Sequence, residues 1–419
     1  MTDAVMPATR EATGLPAYAI FGATLAAAGL PIYIHAPKFY ADEYGVGLAA
    51  MGAVLFGLRL IDVVQDPLLG WLSERTRALR GAAVALALAV LAGSMVGLFA
   101  IAPPVSPLLW FGLMLTGLFS SFSFLTITFY AEGVEKARHL PGGHVRLAAW
   151  RETGALLGVT LAAMAPTVLA AVAGRPFAAF ALAFVGLAVI AGWAMRREWG
   201  LSARVEPGPG IGVVLGDPVA RRLLILALVN AAPVAVSSTL FLFFVESRLA
   251  APGWEGPLLV LFFLAAAASA PVWGWVAGRI GARRALLAGM VLAIVSFGFA
   301  VTLGFGDTTA FAVICLASGA ALGADMTLLP AMFARRMAVV APDAGSAFGL
   351  WNFMTKFTLA FAAVLLLPVL ELSGFQSGAE TITDEALQTL TLLYAALPCA
   401  LKLIAVVLLA TLNMEDRDQ

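Results

Sequence analysis

Apolar residues run along this chain in blocks of about twenty, each closed by charges or by Pro and Gly. Twelve blocks can be drawn, near residues 15–35, 47–73, 82–101, 108–130, 147–172, 177–195, 223–245, 258–277, 285–303, 309–333, 347–370 and 390–412. A run of ~20 apolar residues spans the ~30 Å hydrocarbon core of a bilayer when helical. None of the blocks alternates apolar and polar positions as a barrel strand would. Backbone groups in hydrocarbon must be satisfied within the segment, so the blocks predict twelve transmembrane helices and an all-α integral membrane protein.

Composition narrows this further. The 419 residues are 61% hydrophobic and 12% charged, with mean hydropathy +0.95, which excludes a soluble globular domain and a disordered chain. The formal net charge is zero, so its distribution carries the information. Arg75, Arg77 and Arg80 follow the second block, Lys136, Arg138 and Arg146 the fourth, Arg279, Arg283 and Arg284 the eighth, and Arg335 and Arg336 the tenth. The opposite loops carry Asp42, Glu43, Glu255, Asp307, Glu371, Glu380, Asp384 and Glu385. The positive-inside rule then places both termini in the cytoplasm, in agreement with an even number of spans. Residues 1–14 are polar and lack the apolar core of a signal peptide. Cys315 and Cys399 both fall in apolar blocks and suggest no disulfide framework. His35, His139 and His144 lack metal-ligand spacing.

The chain also repeats itself. Pro67, Gly70, Trp71, Arg75 and Arg80 recur at one constant offset as Pro271, Gly274, Trp275, Arg279 and Arg284. The longest internal polar connector, 196–222, separates six blocks from six. Residues 1–195 and 223–419 are therefore expected to form two pseudo-symmetric six-helix bundles joined by a cytoplasmic loop. A weaker repeat sets Thr116-Gly117 against Ser318-Gly319 and places Asp325 opposite Ser123.

Within the second block, Arg59, Asp62 and Asp66 recur at helical spacing on one face. Each ionised group at bilayer depth costs roughly 2.5–3.5 kcal/mol even on lenient scales, so this face must look into protein or water. The same offset sets Arg59, Asp62, Gln65 and Asp66 against Phe263, Ala266, Ser269 and Ala270. A scaffold role would recur in both halves, and the carboxylates do not. The ionisable groups expected at mid-membrane are Arg59, Asp62, Asp66, Arg151, Glu152, Asp325 and Lys356. Ionised, they sum to three positive and four negative charges, which one monovalent cation would balance. Two carboxylates a helical turn apart repel in low dielectric, so either a sodium ion bridges them or one takes a proton.

The pattern Arg-x-x-Asp-x-x-x-Asp-Pro-x-x-Gly followed by Ser73-Glu74-Arg75-Thr76-Arg77 resembles the glycoside–pentoside–hexuronide cation symporters, the melibiose-permease-like branch of the major facilitator superfamily. Trp150-Arg151-Glu152-Thr153-Gly154, the Phe129-Tyr130-Ala131 aromatic pair and Trp351-Asn352-Phe353-Met354-Thr355-Lys356 carry the likeness further along the chain. The resemblance implies the major facilitator fold, with a midplane solute site between two six-helix halves. It implies Asp62, Asp66, Gln65 and Ser123 as cation-coupling residues, with sodium at Asp62 and Asp66. It implies Arg151 and Lys356 as solute or cavity residues; Arg59 on the polar face of the second block, Thr24 and Thr126 as neutral polar groups, Trp351, Asn352 and Thr355 around Lys356, and Asp325 through the internal repeat are expected to join them. Glu74, Arg75, Arg77 and Arg279 would gate the cytoplasmic side. Thr24 and Thr126 stand where the melibiose permease has sugar-binding aspartates, so the solute half of the site is rebuilt.

The expected activity is secondary active transport, the sodium- or proton-coupled symport of a polar or amphiphilic organic solute by alternating access. A proton-driven exporter of apolar compounds, or a lysolipid carrier of the same fold, is the alternative. No His-Glu-x-x-His, Gly-x-Ser-x-Gly, Walker loop or dinucleotide fingerprint occurs, so an enzyme is not expected. No cofactor is expected besides the coupling ion. The expected partners are a small-molecule solute and the lipid bilayer, with no nucleic acid, for a monomer in a bacterial inner membrane.

Overall fold

In the computed structural model, residues 14–29, 32, 36–37, 39–40, 43–46, 48–138, 140, 143–199, 210–341, 345–375 and 382–412 are described. The connector 201–209, His35, His139 and the side chains of Arg59, Arg138 and Glu371 lie outside the described residues. Among the described residues a helix falls in each of the twelve blocks, the first of them only 13 residues long. They are α1 (Leu15–Ala27), α2 (Leu48–Arg75), α3 (Arg80–Phe99), α4 (Pro107–Arg138), α5 (Gly143–Leu169), α6 (Pro176–Met195), α7 (Pro218–Arg248), α8 (Glu255–Ile280), α9 (Ala282–Thr302), α10 (Thr308–Val340), α11 (Gly345–Leu372) and α12 (Asp384–Ala410). Among the described residues, eight helices are long and apolar enough to cross a membrane. The 28-residue helices α2 and α11 reach about 42 Å at ~1.5 Å per residue.

Several helices outrun their apolar blocks. The α4 helix continues to Arg138 through Glu132, Glu135 and Lys136, and α10 continues to Val340 through Arg335 and Arg336. Hydropathy ends where charge begins, but the backbone ladder needs no apolar side chain to continue. Pro67, Pro166, Pro233, Pro271, Pro330 and Pro368 all sit inside helices.

The chain divides into two compact units. The first comprises Met1–Ile211 with Met337–Gly349, the second Gly212–Arg336 with Leu350–Gln419. In the first unit α1 lies directly on α5. A Cβ on Gly154 would overlap the Ala19 carbonyl, and one on Gly158 would overlap that of Ala23. Small residues four apart on both helices permit this approach, the packing mode that membrane helices favour. The α2 helix also meets Gly345–Gly349 closely: a Cβ on Gly70 would lie 2.8 Å from the Gly345 oxygen, and one on Gly349 2.8 Å from the Asp66 oxygen. Arg80 and Glu132 form a buried ion pair linking α3 to α4. The core beneath is aromatic, with Phe39, Phe99, Phe111, Phe177 and Tyr40 in mutual ring contact.

The second unit is built the same way. Gly319 and Gly323 of α10 let the backbone of α8 approach, and Trp273 and Ser269 both donate to the Ala320 carbonyl, at 2.8 and 2.9 Å. The last turn of α7 and residues 392–396 of α12 widen into π-helix, and Phe244 and Tyr394 stack across them at 4.1 Å. At the start of α7, Asp217 caps the helix through the Ala220 N–H, at 2.7 Å. The same carboxylate takes a two-pronged bond from Arg336, at 2.6 and 3.0 Å. The Arg336 hydrogen bond, joined by the cap, holds the Asp217 carboxyl below its usual range despite partial burial.

Two outcomes are expected. Gly158→Val should lower the thermal midpoint of the detergent-purified protein by several degrees and reduce its yield, whereas Gly186→Val, where nothing stands within 4 Å, should leave both near wild type. Because the Asp217 pKa is lower folded than unfolded, its contribution is complete above ~pH 4 and lost as the pH falls through the folded value. A pH series of unfolding midpoints should show Asp217→Asn destabilised at neutral pH, with the gap to wild type closing below about pH 4.

Candidate functional site

The α2 helix sorts its residues by face. Ile61, Val64, Leu68 and Trp71 are exposed, as a lipid-facing stripe requires. Asp62 and Asp66 fall on the other side and are 3% and 0% exposed. The spacing of four that places both on one face also points both inward. Between them, Gln65 donates its amide to Asp62 Oδ1 at 2.8 Å and accepts the Ser120 hydroxyl of α4 at 3.0 Å. Ser123, three residues further along α4, is fully buried. The structure thus brings together Asp62, Gln65 and Ser120 through two hydrogen bonds, with Asp66 and Ser123 buried on the same two helices. Ser120 is an addition to the residues expected from sequence, and its spacing of three from Ser123 is the signal that points to it. The Gln65 carbonyl, a possible cation ligand from sequence, is engaged by Ser120. The Arg59 side chain lies outside the described residues.

A second polar group occupies the interior of the first unit. Arg151 donates to Glu152 Oε1 at 2.7 Å, and Tyr130 donates to the same oxygen at 2.8 Å. The Arg151 guanidinium lies 3.5 Å from the centre of the Tyr130 ring, which also meets the rings of Phe348 at 5.3 Å and Phe129 at 6.3 Å. Glu152 therefore faces the polar interior and neutralises Arg151. Thr24 is fully buried and donates to the Ile20 carbonyl of its own helix at 2.9 Å. Thr126 is half-buried, and its hydroxyl has no partner among the described residues.

The residues read as a gate are arranged differently from simple loop charge pairs. Glu74 accepts the backbone N–H of Ser346 at 2.7 Å. Arg75 lies over Trp71 at 5.3 Å, and Arg279 over Trp275 at 3.6 Å. The repeated Trp-x-x-x-Arg of the sequence is thus a repeated cation–π pair on exposed tryptophans, the placement expected at a membrane interface. Arg77 is half-buried in the turn after α2.

In the second unit Trp351 packs against Phe333, with ring centres 4.9 Å apart. Thr355 donates back to Trp351 and Asn352 of its own helix, at 3.2 and 3.1 Å. Asn352 and Lys356 are half-buried on α11. Asp325 has a strong partner that the sequence reading does not single out: Lys402 of α12. The Lys402 ammonium also donates to Asn230 of α7 at 2.7 Å. A lone lysine about twelve residues into the last apolar block was the available signal. Lys402 also corrects the charge sum. Added to the seven groups counted from sequence, it balances four negative charges with four positive ones. The sum no longer calls for a cation, and the argument for one reduces to the local like-charge pair of α2.

Chemically, the described residues offer buried carboxylates, hydroxyls and amides. Among the described residues no group of three or more His, Cys, Asp and Glu could hold a metal ion. A hard monovalent cation on α2 would draw on two carboxylates and neighbouring hydroxyl oxygens instead.

Comparison with known proteins places the fold. No curated protein matches the chain. A bacterial homologue of the iron transporter ferroportin, in an outward-facing state with soaked iron, is similar over 96% of this chain and 99% of its own, at 15% identity and a TM-score of 0.70. The E. coli fucose:proton symporter FucP is similar over 97% of this chain and 99% of its own, at 12% identity and a TM-score of 0.65. At these identities the likeness is one of fold, that of the major facilitators. The family described as MFS/sugar transport protein matches residues 15–416, and the chain belongs to that family.

Proposed function

We propose that this transporter couples a monovalent cation to the movement of a polar organic solute, as a member of the glycoside–pentoside–hexuronide branch. The coupling ion sits at Asp62 and Asp66. The observation that carries this reading is that both carboxylates are buried, one turn apart, on a helix whose opposite face is apolar and exposed. Like charges in a low dielectric strengthen the pull on a cation, and the nearer they stand the harder it is to keep both ionised without one. Gln65, held by Ser120, fixes the orientation of Asp62. Hard oxygen donors suit sodium, and a proton shared by the pair serves the same end. The positions at the same offset in the second half, Ala266 and Ala270, are as deeply buried and carry no charge. A buried face at this place in the scaffold therefore does not require carboxylates.

The test is the ion response of the purified protein. Sodium at 100 times its Kd should stabilise the wild type by about 2.7 kcal/mol, read as a raised thermal midpoint, and Asp62→Asn and Asp66→Asn should abolish that shift. In proteoliposomes, uptake of a stabilising solute from a panel of sugars, organic acids and lysolipids should follow the sodium gradient. If protons are the ion, the same variants flatten the pH dependence instead. Ion responses unchanged in both variants, or extrusion of apolar compounds with no ion-driven uptake, would refute the reading.

A further inference from the structure

In the second unit, a half-open cavity lies among α7, α8, α9, α10 and α12, with Asp325 and Lys402 in its lining. About 70 Å³ of it is open to the centre of a water molecule. One water needs ~10–15 Å³ on that measure, so the cavity takes several waters or a small organic fragment in their place. The aromatic walls come from Phe262 and Phe297. Two hydroxyls on the wall are already engaged by their own helices: Ser318 donates to Ile314 and Ser237 to Val234.

One strong acceptor is left over. The Asp325 side chain is 9% exposed, and its Oδ2 holds the Lys402 ammonium. Its Oδ1 has no hydrogen-bond partner among the described residues. A carboxylate oxygen without a donor in an apolar surrounding is costly to bury. The neighbouring charges decide what kind of donor fits. Asp325 and Lys402 together carry no net charge, and the Asn230 oxygen secures the ammonium from the α7 side. A cation or an anion entering here would leave a net charge buried, whereas a neutral hydroxyl satisfies Oδ1 and leaves the pair balanced.

We propose that this cavity binds the hydroxyl-bearing end of a small neutral solute. Asp325 Oδ1 accepts the hydroxyl hydrogen, Lys402 and Asn230 hold the carboxylate in position, and Phe262 and Phe297 cover the carbon skeleton. The assignment deepens the transport reading by naming a solute class, and it rests on that reading only for its physiological meaning. The binding itself is tested apart from transport and from the α2 carboxylates.

Cys399 lines the same cavity, and the only other cysteine, Cys315, is buried elsewhere on α10. In a Cys315→Ala background, the labelling rate of Cys399 by methyl methanethiosulfonate can be followed on the full-length protein by intact mass spectrometry. Glycerol and erythritol should slow labelling by the factor 1 + [L]/Kd, about fivefold at roughly four times Kd. Methylammonium and acetate should not slow it. Asp325→Leu/Lys402→Met, which removes both charges and the acceptor oxygen together, should keep the labelling and lose the polyol protection. Leu322→Trp, which fills the cavity and leaves the ion pair in place, should lose the labelling. Failure of Cys399 to label in the background protein, equal protection by the charged probes, or polyol protection that survives in the double variant would each overturn the proposal. Loss of the sodium response with polyol protection intact would instead count against the coupling site alone.

Discussion

Hydrocarbon gives a buried charge nothing to interact with except other parts of the protein, and the interior of each unit is organised by that requirement. In the first unit Arg151 is matched by Glu152, with Tyr130 joining. In the second, Lys402 is matched by Asp325 and Asn230. Each is a locally neutral group whose members come from different helices or adjacent positions, so it also fixes how those helices register. Such pairs contribute little net stability, because desolvation offsets attraction, but removing one partner alone is severe. The α2 helix places two further carboxylates, Asp62 and Asp66, one turn apart on one buried face.

The internal repeat separates scaffold from chemistry. Pro67 and Pro271, and the two Trp–Arg pairs, occupy matching places and perform matching tasks, inside a helix and at its exposed end. Asp62 and Asp66 correspond to Ala266 and Ala270, which are buried to the same degree. The weaker repeat behaves likewise: Ser123 is a small buried hydroxyl, whereas Asp325 at the matching position anchors an ion pair and a cavity. Chemistry thus differs between the halves at positions where packing is alike.

Glycine and alanine let the helices approach closely enough for these polar groups to meet. Gly154 and Gly158 admit α1, Gly319 and Gly323 admit α8, and Gly70 with Gly349 admits the start of α11. Without a solvent-driven force between apolar helices in lipid, this contact is a main source of cohesion. It also explains why threonines such as Thr24 and Thr355 bond to their own backbone: on a tightly packed helix that carbonyl is the nearest acceptor.

The sequence by itself determined the all-helical membrane architecture, the repeat and the inward face of α2. These follow from local rules: a segment's mean polarity decides whether it enters hydrocarbon, and a spacing of four decides which residues share a face. The blocks misplaced only the ends, as where α4 runs on through Glu132 to Arg138, because helix formation is set by the backbone and partition by the side chains. Pairing was not legible. Asp325 and Lys402 are separated by 77 positions, and Gln65 and Ser120 by 55, and no local pattern links either pair. Charge counted along the chain therefore pointed to a missing cation, where the folded second unit had supplied its own in Lys402. Only the tertiary structure decides which charges meet, because the field a buried group experiences falls steeply with distance in space and is indifferent to distance in sequence.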